Sequence, residues 1–199
     1  VTTQAAVHAS AVVVGEAGVL IRGPSGSGKT SLAFALLEAS ARDGRFARFV
    51  TDDRARLVPL HGRLIAEAPE TISGLAELRG LGIVAGPHLP AAVVRLVVDL
   101  TPHVDRAPEP ESLRTSVEGV CLPRLPVAPN QPNGLALACQ RVFIMLMHCG
   151  CDRSALAFAP QHGTLIASAL SAPLFRSACA DSARSDPGPE RNQTCAETA

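Results

Sequence analysis

The segment Gly23-Pro24-Ser25-Gly26-Ser27-Gly28-Lys29-Thr30 sets a glycine, four residues, a second glycine, a lysine and a hydroxyl residue in order. That order suits a phosphate chain. Successive backbone N–H groups turn inward around an anion, and residues without Cβ let the backbone approach phosphate oxygens. A helix starting there aims its positive end at the same group. Lys29 then neutralises the β- and γ-phosphates and the Thr30 hydroxyl ligates magnesium, so the motif predicts ATP and Mg²⁺ as ligands. Lys29 is also the chain's only lysine, beside seventeen arginines. A lone lysine among arginines marks a place that needs a compact, flexible ammonium.

Phosphoryl transfer further needs a metal ligand and a group that accepts the nucleophile's proton. Asp52-Asp53, running out of an apolar stretch, is the candidate pair. Neighbouring strand residues point to opposite faces, so the two carboxylates are expected to take different roles. A solvated acidic turn before Arg54 and a plain metal-binding aspartate are the competing readings. Glu77-Leu78-Arg79-Gly80-Leu81-Gly82-Ile83 reads as a loop where backbone nears a ligand. By itself His8 reads as a strand-edge histidine. His148-Cys149-Gly150-Cys151-Asp152 lacks a complementary second cluster and reads as a helix end with inert thiols.

The elements that must hold these groups follow from periodicity. Ala11 to Val14 and Val19 to Arg22 read as a hairpin across Gly15-Glu16-Ala17-Gly18. Ser31 to Ala41 reads as a helix ending near Gly44, and Phe46 to Thr51 as a strand leading into Asp52. Arg56 to Leu60 and Arg63 to Ala66 form a second hairpin around His61-Gly62, and Val93 to Leu100 a strand buried on both faces. Prolines between Thr101 and Asn133 predict loops and edge segments, and Leu135 to His148 a buried helix that serves as core or subunit contact. Residues 1–160 are read as one domain and 161–199 as a weakly structured tail.

A chain of 199 residues suffices for one well-buried domain. With 47% hydrophobic and 18% charged residues it has globular composition. Eighteen basic groups balance eighteen acidic ones, which argues against a nucleic-acid partner gripped through phosphates. Six Phe without Trp or Tyr make a base-stacking module a poor fit. The most apolar run, Leu135 to Met147, is interrupted by Gln140 and Arg141, so no membrane span is expected. The start shows no export signal, and six cysteines without framework spacing fit reduced thiols in the cytoplasm.

Together His8, the strand pair, GPSGSGKT, Asp52-Asp53 and the Glu77–Ile83 block resemble the catalytic domain of HPr kinase/phosphorylase, over about residues 7–150. The resemblance implies an α/β fold, a P-loop core related to the nucleotide-binding part of phosphoenolpyruvate carboxykinase. It implies ATP- and Mg²⁺-dependent phosphorylation of a serine on an HPr-type phosphocarrier, in the regulation of carbon metabolism. Many members also remove that phosphate with inorganic phosphate, and members assemble into hexamers, so a homo-oligomer is expected. By position, Asp53 matches the proton acceptor of the kinase reaction and the donor of its reverse. Thr30 and Glu77 match the magnesium ligands, and Gly23 to Thr30 with Arg79 and Gly80 the nucleotide-binding residues. His8, twenty-one residues before Lys29, matches the active-site histidine, and Arg106 a later active-site arginine.

Three departures stand out. The block begins within the first ten residues and so reads as a short form without the N-terminal domain that many members carry. The stretch from Lys29 to Asp53 carries extra residues around Arg42 to Arg48. Pro126-Val127-Ala128-Pro129-Asn130-Gln131 stands where the family pattern has arginines, which predicts kinase action rather than phosphorolysis. The phosphate loop alone equally suits a small-metabolite kinase, a general NTPase or a nucleotide-sensing module; the Glu77–Ile83 block directs the reading to the protein kinase.

Overall fold

In the computed structural model, which describes residues 6–78 and 80–148, the first three strands settle where the chemistry lies. Strand β1 (Ala9–Val14) runs antiparallel between β2 (Ala17–Arg22) and β3 (Ala47–Thr51). The start of β1 therefore meets the ends of β2 and β3, with Ala9 opposite Arg22 and Ala11 opposite Thr51. His8, the loop after Arg22 and the acids after Thr51 share one edge of the sheet for that reason.

The sheet continues through β8 (Ala91–Leu100), β10 (Val120–Val127) and β9 (Arg114–Val117), in the order β3-β1-β2-β8-β10-β9. β8 is parallel to β2 and β10, while its first half pairs antiparallel with β5 (Arg63–Glu67), itself paired with β4 (Arg56–Leu60). Gly18 is required where β2 crosses β8, because a Cβ there would come 2.5 Å from the Val93 carbonyl oxygen. Val12, Val14, Ile21, Leu96 and Val98 face α1 (Lys29–Arg42) and α2 (Gly134–His148) on one side. Ala11, Leu20, Val97 and Leu122 pack under Leu57 and Leu64 of β4 and β5 on the other. Two layered cores thus sandwich a mixed sheet, an α/β arrangement dominated by strands.

Helix α1 forms because Leu32, Ala33, Leu36 and Ser40 recur at three- and four-residue spacing and bury one face. It begins two residues earlier than the periodicity predicts. The expected buried helix, α2, is buried along Ala138, Cys139, Val142 and Leu146 but leaves Leu137, Ile144 and Met147 exposed. Burial raises the Cys139 thiol to about 11, so it stays protonated.

Two expectations are corrected. The block from Glu77 is no loop: β6 (Leu75–Leu78) and β7 (Gly82–Ala85) form a separate hairpin with Glu77 opposite Ile83. Nor is the proline-rich stretch only loop and edge, since β9 and the eight-residue β10 lie within it. β10 accommodates Pro123 and Pro126 because its first half pairs only with β9 and its second only with β8. Each half keeps one open side, where a missing N–H costs no ladder bond. Among the described residues no helix is long and apolar enough to cross a membrane. Arg79, Cys149, Cys151, the 1–160 boundary and the 161–199 tail lie outside the described residues.

Candidate functional site

The loop from Gly23 to Gly28 joins the end of β2 to α1. A Cβ on Gly23 would come 2.6 Å from Ser27 Oγ and 2.8 Å from Leu100 Cβ, so only glycine fits. Gly28 caps α1 in the left-handed region at φ 98° and offers no side-chain oxygen to the first N–H groups of the helix. The first turn itself holds no acidic residue to compete for its N–H groups. Ser27 Oγ is buried without a hydrogen-bond partner. Together these are donors without an acceptor, the surroundings an anion needs.

Lys29 is buried, and its ammonium donates to the carbonyls of Gly23 at 3.2 Å and Pro24 at 3.1 Å. Burial lowers its pKa from the usual value, and the nearby charges of Asp53 and then Asp52 offset part of that shift. The ammonium is thus folded back onto its own loop, within the field of both acids.

The aspartates divide as adjacent residues at a strand end should. Asp52 is buried and accepts hydrogen bonds from Ser10 Oγ at 2.7 Å, Thr30 Oγ1 at 2.9 Å and 3.1 Å, and the Glu77 backbone N–H at 3.2 Å. Asp53 takes a left-handed conformation at φ 64°, which turns its carboxylate outward. There it lies 2.5 Å from His8 Nε2, with both side chains exposed. The solvated-turn reading fits Asp53 in part and fails for Asp52.

His8, Lys29, Thr30, Asp53 and Glu77 therefore share one edge, and Asp52, absent from the expected ligand set, sits at its centre. Ser10 was also missed; the one available signal was a hydroxyl inside the all-apolar run of β1. Glu77 reaches the site through its backbone, and its own side chain is exposed. Gly80 sits at the hairpin turn, where φ 86° requires glycine, and a Cβ there would touch nothing. Its glycine thus answers to the turn rather than to a close approach. Arg106 lines a cleft of about 460 Å³ with Asp105, Gln131 and Arg141, and neither the loop nor the aspartates line that cleft. The neighbouring Pro129 lies against the loop, 3.8 Å from a Cβ built on Gly28.

Among the described residues no group of three or more His, Cys, Asp or Glu is spaced to hold a metal ion. The donor set nonetheless fits magnesium, which takes one or two protein oxygens and completes its shell with phosphate and water. Thr30 spends its hydrogen on Asp52 and keeps its oxygen lone pairs.

Comparison with known proteins agrees with the motifs. Residues 1–89 match the family model described as the HPr Serine kinase C-terminal domain. The HPr kinase/phosphorylase of Clostridium tetani is 39% identical over 82 residues, 41% of this chain and 25% of that protein. Its counterpart in Limosilactobacillus reuteri is 31% identical over 143 residues, 65% of this chain and 42% of that protein. The chain thus spans from a quarter to about two-fifths of the length of these curated relatives. The solved structure of the Hpr(Ser) kinase/phosphatase from Coxiella burnetii superimposes with a TM-score of 0.58 at 24% identity, over 71% of this chain and 96% of that one. The fold is shared, and the resemblance read from the sequence is borne out.

Proposed function

We propose that the chain is an ATP-dependent protein-serine kinase acting on an HPr-type phosphocarrier, built on a P-loop core related to the nucleotide-binding part of phosphoenolpyruvate carboxykinase. In this reading it works in the cytoplasm as a homo-oligomer, with a hexamer as the expected form. The observation that carries the proposal is the convergence of three units on one sheet edge: Lys29 in its loop, Thr30 on Asp52, and His8 on Asp53.

Each unit has a task. Lys29 exchanges its two carbonyl contacts for oxygens of the β- and γ-phosphates, and the free N–H groups of the loop and of α1 hold the rest. Thr30 offers magnesium its hydroxyl oxygen while Asp52 holds the hydroxyl hydrogen, and Glu77 stands beside them. Magnesium, when bound, offsets the charge on the phosphate oxygens during transfer. With Oδ1 against His8, Asp53 leaves Oδ2 to take the serine proton. The serine oxygen bonds to the γ-phosphorus, the bond to the bridging oxygen breaks, and ADP leaves. No covalent enzyme intermediate is needed, because positioning and charge complementarity carry the rate.

A protein acceptor is favoured over a small metabolite by the hairpin beside Asp52, whose Leu81 and Ile83 are 79% and 72% exposed. An apolar rim suits a macromolecular surface better than a polar metabolite. The segment Pro126–Gln131 brings no arginine to the site, so reversal with inorganic phosphate is expected to be weak.

The test is mass spectrometry of HPr proteins after incubation with ATP and Mg²⁺, using the wild type and Asp53→Ala. The wild type is expected to add one phosphate to a serine, and the variant none while still binding ATP. Transfer at the normal rate by Asp53→Ala overturns the mechanism. Phosphate added afterwards should release little of the modification.

A further inference from the structure

Strand β1 is buried along its whole length, and Ser10 is its one polar residue, fully inaccessible to solvent. A buried hydroxyl is costly unless it is bonded, and nothing in the packing between Ala9 and Ala11 calls for one. Its bond is the shortest that Asp52 makes, 2.7 Å to Oδ1. Ser10 Oγ in turn accepts from the backbone N–H of Asp53 at 3.5 Å. Ser10 therefore touches both acids from the sheet face that looks toward α1.

The pattern on Asp52 gives that contact a purpose. Thr30 has one hydroxyl hydrogen, and it lies within reach of both carboxylate oxygens. Its lone pairs face outward only while the carboxylate stays in the plane that receives this hydrogen. Glu77 steadies Oδ2 with its N–H, and Ser10 steadies Oδ1. Without Ser10 the carboxylate keeps the Glu77 N–H on Oδ2 but loses its hold on Oδ1, so it can turn about its last side-chain bond and carry the Thr30 hydroxyl with it.

We propose that Ser10 is a positioning residue of this site: by holding Asp52 it orients the Thr30 hydroxyl, and it thereby sets how much magnesium strengthens nucleotide binding. This rests on the kinase reading above and adds a residue that neither the motif nor the family resemblance assigns.

The experiment measures ATP affinity by calorimetry with and without Mg²⁺ on the full chain, for the wild type, Ser10→Ala and Ser10→Cys. Cysteine fills nearly the same space but donates weakly, so it keeps the fold where alanine loosens it. Both variants are expected to bind metal-free ATP like the wild type and to lose about tenfold of the magnesium-dependent gain. A purely structural role would lower both affinities together. Either result, a parallel loss or a full gain retained in a folded variant, overturns the proposal while the kinase reading stands. A wild type that gains nothing from magnesium overturns both.

Discussion

Two carboxylates close the ends of neighbouring parts of the same sheet edge, and they are satisfied in opposite ways. Asp99, near the end of β8, accepts two bonds from Arg22, at 2.8 and 2.9 Å, and one from Arg124 at 2.5 Å. Arg124 reaches on to the Ser112 carbonyl and so ties β8 and β10 to the turn before β9. Burial pushes the Asp99 carboxyl up, but the bonds and charges of Arg22 and Arg124 outweigh it and hold the carboxyl below its usual value. Asp52, at the end of β3, is held by two hydroxyls and an amide, and among the described residues no arginine or lysine pairs with it. A charge closed by cations is a finished piece of structure. One held only by neutral donors keeps its field available to something that arrives later.

The widest separation between the two comes from removing each charge. Asp52→Asn is expected to lower kcat by roughly 10²–10³-fold and to cost about 1 kcal/mol of stability, because the amide keeps one acceptor but turns a donor toward the Glu77 N–H. Asp99→Asn should leave kcat per folded molecule nearly intact but cost about 3 kcal/mol of stability, because two partly buried guanidinium groups lose their partner. If both variants lose stability alike and activity alike, the contrast is broken.

Acid sharpens the same contrast. A carboxyl whose folded pKa is depressed contributes stability above its ordinary value, near 3.8 for Asp99. That contribution fades as the pH falls through the folded value. Denaturant melts from pH 7 down to pH 3 should therefore show the gap between wild type and Asp99→Asn narrowing at the acid end. A gap independent of pH would mean that the arginines act by packing alone. The smallest effect is expected from Arg124→Met, about 1 kcal/mol, since Arg22 keeps its two bonds to Asp99 and methionine fills part of the space. A loss as large as that of Asp99→Asn would make Arg124, not the pair, the anchor.

Much of this is legible in the sequence alone. The glycines, Lys29 and the spacing of Leu32, Ala33 and Leu36 announce a loop entering a helix, and the strand before Asp52 is apolar enough to be seen. What stayed hidden is instructive. Glu77 lies in a four-residue strand whose turn glycines make the whole block look like a loop, and Pro123 and Pro126 disguise a strand whose halves are each paired on one side. Ser10 and the Arg22–Asp99–Arg124 cluster depend on contacts that span from 25 to 77 residues of sequence, which local periodicity does not carry. Asp52 is legible as an acid but not as the centre of the site, because its partners come from β1, α1 and β6 rather than from its own neighbours.

The pairing of β1 with β2 and β3 also decides which side chains reach that edge at all. Moving that strand along by a single residue would swing the serine to the far side of the pleat and carry the histidine out of reach of its acid. A mispaired strand would thus lose the geometry of the edge together with its own buried face.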